Sequence, residues 1–313
     1  MQMRRNYSLA IQAFQVALRA EPDDQLLWLR LGEAYTNAGR HSAALKALGR
    51  AHELSPNDWI CTYFIGEVHN RLGKFQEAID AFKSVLADRS SEIGVLISLA
   101  QTHLDFGRDQ TSTGFLARAE QSFGASIQVA VQVIREFPGF RNLAWKTVAD
   151  AIFYLSKQTS FIDSDNVRML LEDVAALITG NTSDCLAGFL ALPSLNGGFP
   201  VGGRQALEVA IVAYDYRISL GSSEKTVTGS PWYDLGIALD SWSTRTNSKE
   251  DQQRAHKKAT VCLIKALRED PGNDAYWNAL GNVNFVAHPK TAQHAYIKAL
   301  EIDNKVGAVS SSR

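Results

Sequence analysis

Residues 25–58 read QLLWLRLGEAYTNAGRHSAALKALGRAHELSPND, and this stretch decides the fold. Its spacing predicts two antiparallel helices, with larger apolar side chains filling the space between them and the next pair. Gly32 and Ala44 are small because the two helices cross closely there. Pro56 ends the second helix, since proline cannot continue a helix interior. The residues that carry this pattern are Trp28, Leu31, Gly32, Tyr35, Ala44, Leu48, Ala51 and Pro56.

The same pattern returns along the chain with a period of about 34 residues, which is typical of the tetratricopeptide repeat (TPR). Its Trp-x-x-Leu-Gly opening occurs at Trp28, Trp232 and Trp277. We therefore predict an all-α fold, a TPR superhelical solenoid of antiparallel helix pairs with insertions in two or three repeats. The repeats are expected over 1–157, with the first one incomplete, and again over 204–305.

The repeats before the large insertion differ in completeness. Tyr7 to Ala20 fits the second helix of a repeat that lacks its first helix. A full repeat covers about 59–92, and another begins near Ile93. The second helix of that repeat is expected from about Thr113 to Glu136, after a polar insertion over Asp109–Thr113 at the turn between the helices.

The fifth repeat is split by an insertion at 158–203. Trp145 marks its first helix, and the matching second helix is expected only at about Ala206 to Leu220. Within the insertion, the apolar periodicity of Val167–Ile178 predicts a short helix. The Gly- and Pro-containing stretch Leu192–Gly203 predicts a loop.

The last two repeats open at Trp232 and Trp277. The sixth is about 11 residues longer than the repeat consensus, with the extra length in the polar run Ser241–Gln253. The tail 306–313 ends in three serines before Arg313 and is predicted to be disordered.

Composition and charge argue against a nucleic-acid-binding, disulfide-rich or membrane-spanning protein. Lys and Arg total 32 and Asp and Glu total 33, for a formal net charge of -1. Such a chain has no global field that would draw it to nucleic acid or an anionic membrane. Cys61, Cys185 and Cys262 form neither a disulfide framework nor a zinc motif, and the first and last are expected to be buried core thiols. With no long apolar segment, the chain is predicted to be soluble and intracellular.

No grouping of residues in the sequence predicts a catalytic or ligand-binding site. Gly197–Arg204 is glycine-rich but lacks the Gly-Lys-Ser/Thr ending of a phosphate-binding loop. The seven histidines are scattered, and His69 and His103 are expected to pack between helices. Asn181–Ser183 matches a glycosylation sequon that an intracellular chain would not use. We therefore predict no catalytic, cofactor-binding or metal-binding residue, no cofactor and no enzymatic activity.

Longer stretches carry a family resemblance. Tyr276–Val283 and Ala292–Lys298 resemble one repeat of the TPR subunit of the Ski (superkiller) complex. Leu31–Tyr35 and Trp232–Gly236 fit the same family, as do the order of the repeats and the places of the insertions. The resemblance covers about residues 7–304.

This resemblance implies a scaffold. Members of the family hold a DExH-box RNA helicase and WD-repeat subunits in a complex that assists the RNA exosome in cytoplasmic 3′-to-5′ mRNA decay. The implied location is cytoplasmic, with a nuclear pool as an alternative, and there is no membrane partner. Family members are several times longer, so a partial chain is expected.

Other hypotheses stay open from the sequence. A generic TPR adaptor of the chaperone type would need a cation cluster on its first helices, and Glu33 and Asn37 do not supply one. An enzyme site within 158–203 would lack a nucleophile–base pair. Direct RNA binding is disfavoured by the near-neutral charge. Trp242 lies outside the signature positions and is the candidate contact residue, with packing against the neighbouring insertion as the alternative.

Overall fold

The structure is a computed structural model that describes residues 2–179, 186, 188–195, 201–221 and 229–311, with side chains from residue 7 to residue 304. These residues form fourteen α-helices and one short 3₁₀ helix, Pro138–Phe140, with no strand among them. The helices are α1 (Gln2–Ala20), α2 (Gln25–Asn37), α3 (His41–Leu54), α4 (Trp59–Arg71), α5 (Phe75–Asp88), α6 (Ile93–Ser112), α7 (Leu116–Glu136), α8 (Arg141–Leu155), α9 (Ser164–Leu177), α10 (Gly203–Ser219), α11 (Pro231–Ser243), α12 (Lys249–Glu269), α13 (Asp274–Asn284) and α14 (Pro289–Ser311).

Unit 1 (Met1–Phe115) contains α1 to α6, and each helix packs on the next along the chain. Helix α2 starts at an Asp24 cap, whose carboxylate accepts the amide of Leu27 at 3.0 Å. Helices α2 and α3 cross closely at Gly32, where an added Cβ would lie 2.6 Å from the side chain of Leu48. The small residue predicted for this crossing is therefore required by the packing.

Unit 2 (Leu116–Arg313) contains α7 to α14. Helix α8 packs on α10 although the insertion separates them in sequence. Helices α11 and α12 form the next pair, and α13 and α14 the last one. The all-α TPR fold predicted from the sequence is confirmed.

The polar segment Asp109–Thr113 was expected as an insertion at a turn, and this expectation is wrong. Helix α6 continues through it to Ser112, and the turn follows at Gly114, which has a φ of 84°. The hydroxyl of Thr111 donates to the carbonyl of Gly107 at 2.7 Å. Hydroxyl groups that bond back to the preceding turn let this polar sequence remain helical.

The insertion contains the predicted short helix. Helix α9 begins at Ser164, three residues before the apolar periodicity, because the carboxylate of Asp163 caps the amide of Asn166 at 3.1 Å. The non-helical segment before α9 is held in place by Glu120 of α7, whose side chain is buried. Its carboxylate accepts the backbone amides of Ile162 and Asp163 at 2.9 and 2.8 Å.

Near the end of the chain, the structure differs from two further predictions. Most of the extra length of the sixth repeat becomes additional helix, because Ser248 caps α12 and the helix starts at Lys249. The segment 306–311 was predicted to be disordered, whereas α14 continues to Ser311. With no proline and a single glycine after Asn304, this segment has no strong helix stop. Residues 312–313 lie outside the described residues.

Candidate protein-interaction surface

A cluster of charged side chains joins three helices of unit 2. Lys146 of α8 lies 2.7 Å from Asp150 and 3.7 Å from Asp234, measured between Nζ and carboxylate oxygens. Arg217 of α10 donates to Asp234 of α11 at 2.6 Å. The hydroxyl of Tyr214 donates to Asp150 at 2.6 Å. We call these five residues the polar cluster; its two cations and two carboxylates compensate each other.

Burial sets the electrostatics of the polar cluster. The side chain of Arg217 is fully buried, and that of Asp234 is 14% exposed. Burial raises the pKa of Asp234 to about 6, against the opposite pull of Lys146. Burial lowers the pKa of Lys146, but the carboxylates of Asp234 and Asp150 outweigh it, so the net shift is upward. Burial raises the pKa of Tyr214 well above its ordinary value.

These shifts follow from burial and from the charges of the neighbouring groups, and they do not require a catalytic role. Besides Asp234, Arg217 donates to the side-chain oxygen of Asn142 at 3.2 Å and to the carbonyl of Gly229 at 3.4 Å. A buried guanidinium with several acceptors fixes the relative positions of the helices that supply them. The polar cluster therefore holds α8, α10 and α11 in one arrangement.

Tyrosine rings border this cluster. Tyr233 of α11 stacks on Tyr276 of α13, with ring centroids 4.7 Å apart. The hydroxyl of Tyr276 accepts the backbone amide of Ser230 at 2.9 Å. Tyr154 of α8 is half-buried, as is Tyr233, and the ammonium of Lys157 lies 4.2 Å from its ring centroid. Partly exposed tyrosines on a rigid support are common at protein interfaces.

Trp242 was the candidate contact residue, and the structure places it in the interior. It is 5% exposed and lies within α11. Its indole N–H donates to Glu208 at 3.1 Å, and its ring meets Phe189 of the insertion edge-on, with centroids 5.4 Å apart. The alternative, packing against the insertion, is therefore correct; a lone tryptophan outside the signature gave no signal for this distant partner.

His69, His103 and two of the three cysteines are among the described residues. His103 is buried between helices, and burial lowers its pKa to about 4. His69 is half-buried, and burial lowers its pKa as well. Cys61 and Cys262 are buried, as predicted. Cys185, Asn181–Ser183 and 196–200 lie outside the described residues.

A second candidate surface lies in unit 1. A cleft of about 650 Å³ runs between α1, α2 and α3, lined by Trp28, Tyr35 and Arg50. On α2, Glu33 is paired with Arg30 at 2.9 Å, so this helix presents no free group of cations for a peptide carboxylate. The cleft could not be predicted from the sequence, because its walls come from three helices whose spacing is set only by packing.

No group of three or more His, Cys, Asp or Glu side chains in the described ranges is placed to hold a metal ion. None of the helices there is both long and apolar enough to cross a membrane.

Comparison with known families identifies the class. Two tetratricopeptide-repeat family models match, one over residues 3–59 and the other over residues 37–93. Together with the helix pairs of both units, these matches define a TPR protein. Among solved structures, that of the APC/C hetero-tetramer Cut9-Hcn1 covers 96% of this chain at 13% identity, with a TM-score of 0.48, a likeness too low to add to this assignment.

Curated relatives show which TPR proteins this chain resembles. Superkiller protein 3 of Schizosaccharomyces pombe is 29% identical over 280 residues, which is 88% of this chain and 20% of that protein. Tetratricopeptide repeat protein 37 of Xenopus laevis is 28% identical over 313 residues, which is 96% of this chain and 18% of that protein. The chain is thus a TPR protein that resembles superkiller protein 3 and spans about a fifth of the length of these relatives.

Proposed function

We propose that this chain acts as a non-catalytic protein-interaction scaffold within a Ski-type complex. The observation that carries the proposal is the similarity to superkiller protein 3, which extends over 88% of the chain. A second superkiller protein 3, from Saccharomyces cerevisiae, is 24% identical over 96% of this chain. A generic adaptor would share the repeat signature but not a similarity that extends over most of the chain.

The family resemblance supplies the finer part of the proposal. The partners would be a DExH-box RNA helicase and WD-repeat subunits, and the process would be exosome-dependent 3′-to-5′ mRNA decay in the cytoplasm. Helicase chemistry would belong to the partner, while this chain holds the subunits together. Direct contact with RNA is not part of the proposal, because the formal charge of -1 gives little attraction to phosphate.

The structure suggests how such a scaffold would work. A solenoid is stabilised by contacts between neighbouring repeats, so each surface is held by the helix pairs around it. In unit 2, the polar cluster fixes three helices, and Tyr154 and Tyr233 border it at the surface. We propose these two tyrosines as partner contacts. Helix α9 of the insertion at 158–203 would serve as an accessory element docked on α7 and α10.

The test is affinity capture of the tagged chain from cytoplasmic extract, read by mass spectrometry. Recovery of a DExH-box helicase together with WD-repeat proteins is expected. The double variant Tyr154→Ala/Tyr233→Ala should reduce that recovery, whereas Tyr7→Ala in unit 1 is the matched control. Recovery of chaperones alone would favour the generic adaptor, and retention of single-stranded RNA by the pure chain at low salt would contradict a purely protein-binding role.

A further inference from the structure

The cleft of unit 1 has an apolar floor that is open to the outside. Helices α1 and α3 both pack on α2, and the cleft of about 650 Å³ lies between them with α2 as its floor. Trp28, Leu31 and Tyr35 of α2 line this floor, and the small residues Ala43 and Ala47 of α3 border it. Trp28 and Tyr35 are half-buried and pack on the apolar clusters of unit 1. A side chain from another protein can therefore contact the floor.

The polar atoms of the two floor rings already have partners. The indole N–H of Trp28 donates to the carbonyl of Pro22 at 2.8 Å. The hydroxyl of Tyr35 accepts a hydrogen bond from the side chain of Gln15 at 2.8 Å. Neither ring needs a hydrogen bond from an occupant, so the floor chiefly offers apolar contact.

The walls of the cleft are positively charged. Arg19 of α1 lies on one side, Lys46 and Arg50 of α3 lie on the other, and no Asp or Glu is among the described lining residues. Arg50 is paired with Asp23 at 3.0 Å and with Glu53 at 3.1 Å. Arg19 and Lys46 are exposed and form no ion pair in the described part of the chain. We call this site the basic cleft, because two unpaired cations flank its apolar floor.

The next repeat reverses these two charges. One period of about 34 residues later, Glu53 takes the place of Arg19, and Asp80 takes the place of Lys46. The helix pairs of both repeats form although the charges at these positions are opposite. The cations are thus a property of this cleft and are not required by the repeat.

The floor and the walls together define the chemistry of an occupant. Cations on two opposite walls attract carboxylates on both sides of an apolar stripe, which is the arrangement that an amphipathic helix presents. A groove between helices is a common site for such a helix, and charges that flank the apolar stripe then select the partner. A nucleic-acid strand fits less well, since the carboxylates of Asp23 and Glu53 beside Arg50 would repel its continuous phosphate backbone.

We propose that the basic cleft binds an amphipathic helix of a partner protein that carries acidic residues on both sides of its apolar stripe. The proposal rests on the scaffold function inferred above and adds the chemistry of one partner segment. Arg19 and Lys46 pair with the flanking carboxylates, and the apolar stripe packs on Trp28, Leu31 and Tyr35.

The test is methyl NMR of the full chain with designed helical peptides at physiological ionic strength. The probe is three copies of Glu-Leu-Ala-Ala-Leu-Glu-Lys, capped at both ends, in which glutamates flank a leucine stripe on both sides. Its control carries glutamine in place of each glutamate. The glutamate peptide is expected to shift the methyl signals of Leu31 and Ala47 in a saturable way. The glutamine peptide should bind at least about threefold more weakly, because its ion pairs at the exposed walls are lost.

Variants separate the basic cleft from other basic surface. Arg19→Glu and Lys46→Glu should each weaken the glutamate peptide by about three- to tenfold, because an attraction is replaced by a repulsion. Lys83→Glu makes the same change of charge on an exposed residue of α5 and should leave the affinity unchanged. The methyl spectra also report whether each variant is folded.

A charge exchange gives a sharper test. The double variant Arg19→Glu/Lys46→Glu should prefer a peptide of three copies of Lys-Leu-Ala-Ala-Leu-Lys-Glu, in which lysines flank the stripe. The unmodified chain should prefer the glutamate peptide.

Equal affinity for the glutamate and glutamine peptides, equal effects of Lys46→Glu and Lys83→Glu, or no reversal of preference in the double variant would overturn the proposal. Tighter binding of single-stranded oligouridylate at the same methyl groups would also overturn it and would assign the cleft to nucleic acid. Because the isolated chain is measured, these outcomes are independent of whether Ski-type subunits are captured from extract.

Discussion

Replacing Arg217 by methionine would break the polar cluster at its most buried member. Methionine keeps much of the side-chain length but removes the donors to Asp234, Asn142 and the carbonyl of Gly229. Asp234, which is 14% exposed, would retain Lys146 at 3.7 Å as its cation within this cluster. Removing one partner of a buried ion pair leaves an uncompensated charge and costs about 3–5 kcal/mol. We expect a loss of this size in the free energy of unfolding.

The assay is urea unfolding followed by tryptophan fluorescence, to which Trp145 contributes from its contact with Tyr216, 5.0 Å between ring centroids. Arg204→Met is the control on the same helix: its side chain is 53% exposed, and its ion pair with Glu208 should contribute less than about 1 kcal/mol. Hydrogen exchange of the α10 and α11 amides would show that the loss is local to these helices.

A double variant tests the reason for the loss. In Arg217→Met/Asp234→Asn the carboxylate left without its guanidinium is also removed. The combined cost should therefore be smaller than the sum of the single costs, by about 1–3 kcal/mol. If Arg217→Met costs less than about 1 kcal/mol, or if the two substitutions are additive, the polar cluster does not hold these helices as described.

Three further predictions concern stability. His103 has a pKa of about 4 in the folded chain and about 6.5 when unfolded, so the unfolded state binds a proton on this side chain first as the pH falls. The free energy of unfolding should therefore decrease between about pH 6.5 and pH 4, by at most about 3 kcal/mol. In urea titrations, His103→Gln should flatten this part of the pH profile. Gly203→Ala should lower the free energy of unfolding by at least about 1–3 kcal/mol, because the added Cβ would overlap the carbonyl oxygen of Gln158. Gly49→Ala, which has open space around the added Cβ, should raise it by about 0.5–1 kcal/mol. Equal urea midpoints for the two variants would contradict both expectations. Glu120→Gln should speed proteolysis near Ile162, since the carboxylate that accepts the backbone amides there is weakened, and an unchanged cleavage rate would argue against this anchoring.

The sequence by itself determined the repeats. The Trp-x-x-Leu-Gly openings, the small residue at Gly32 and the prolines that follow second helices at Pro56 and Pro271 are local patterns. Helix periodicity and close crossing depend on residues that are near in sequence. The split fifth repeat could also be predicted, because Trp145 and Ala206 each carry their own half of the pattern. Local propensity was less informative at Asp109–Thr113, where hydroxyl-to-carbonyl bonds keep a polar segment helical.

Only the tertiary structure decided which distant residues meet. Lys146, Arg217 and Asp234 belong to three helices, and no sequence period relates them. Trp242 became an interior residue because the insertion brings Phe189 to its ring. The basic cleft likewise depends on the spacing of α1, α2 and α3. Such contacts follow from how helices pack in space, and the spacing of residues within a single helix does not encode them.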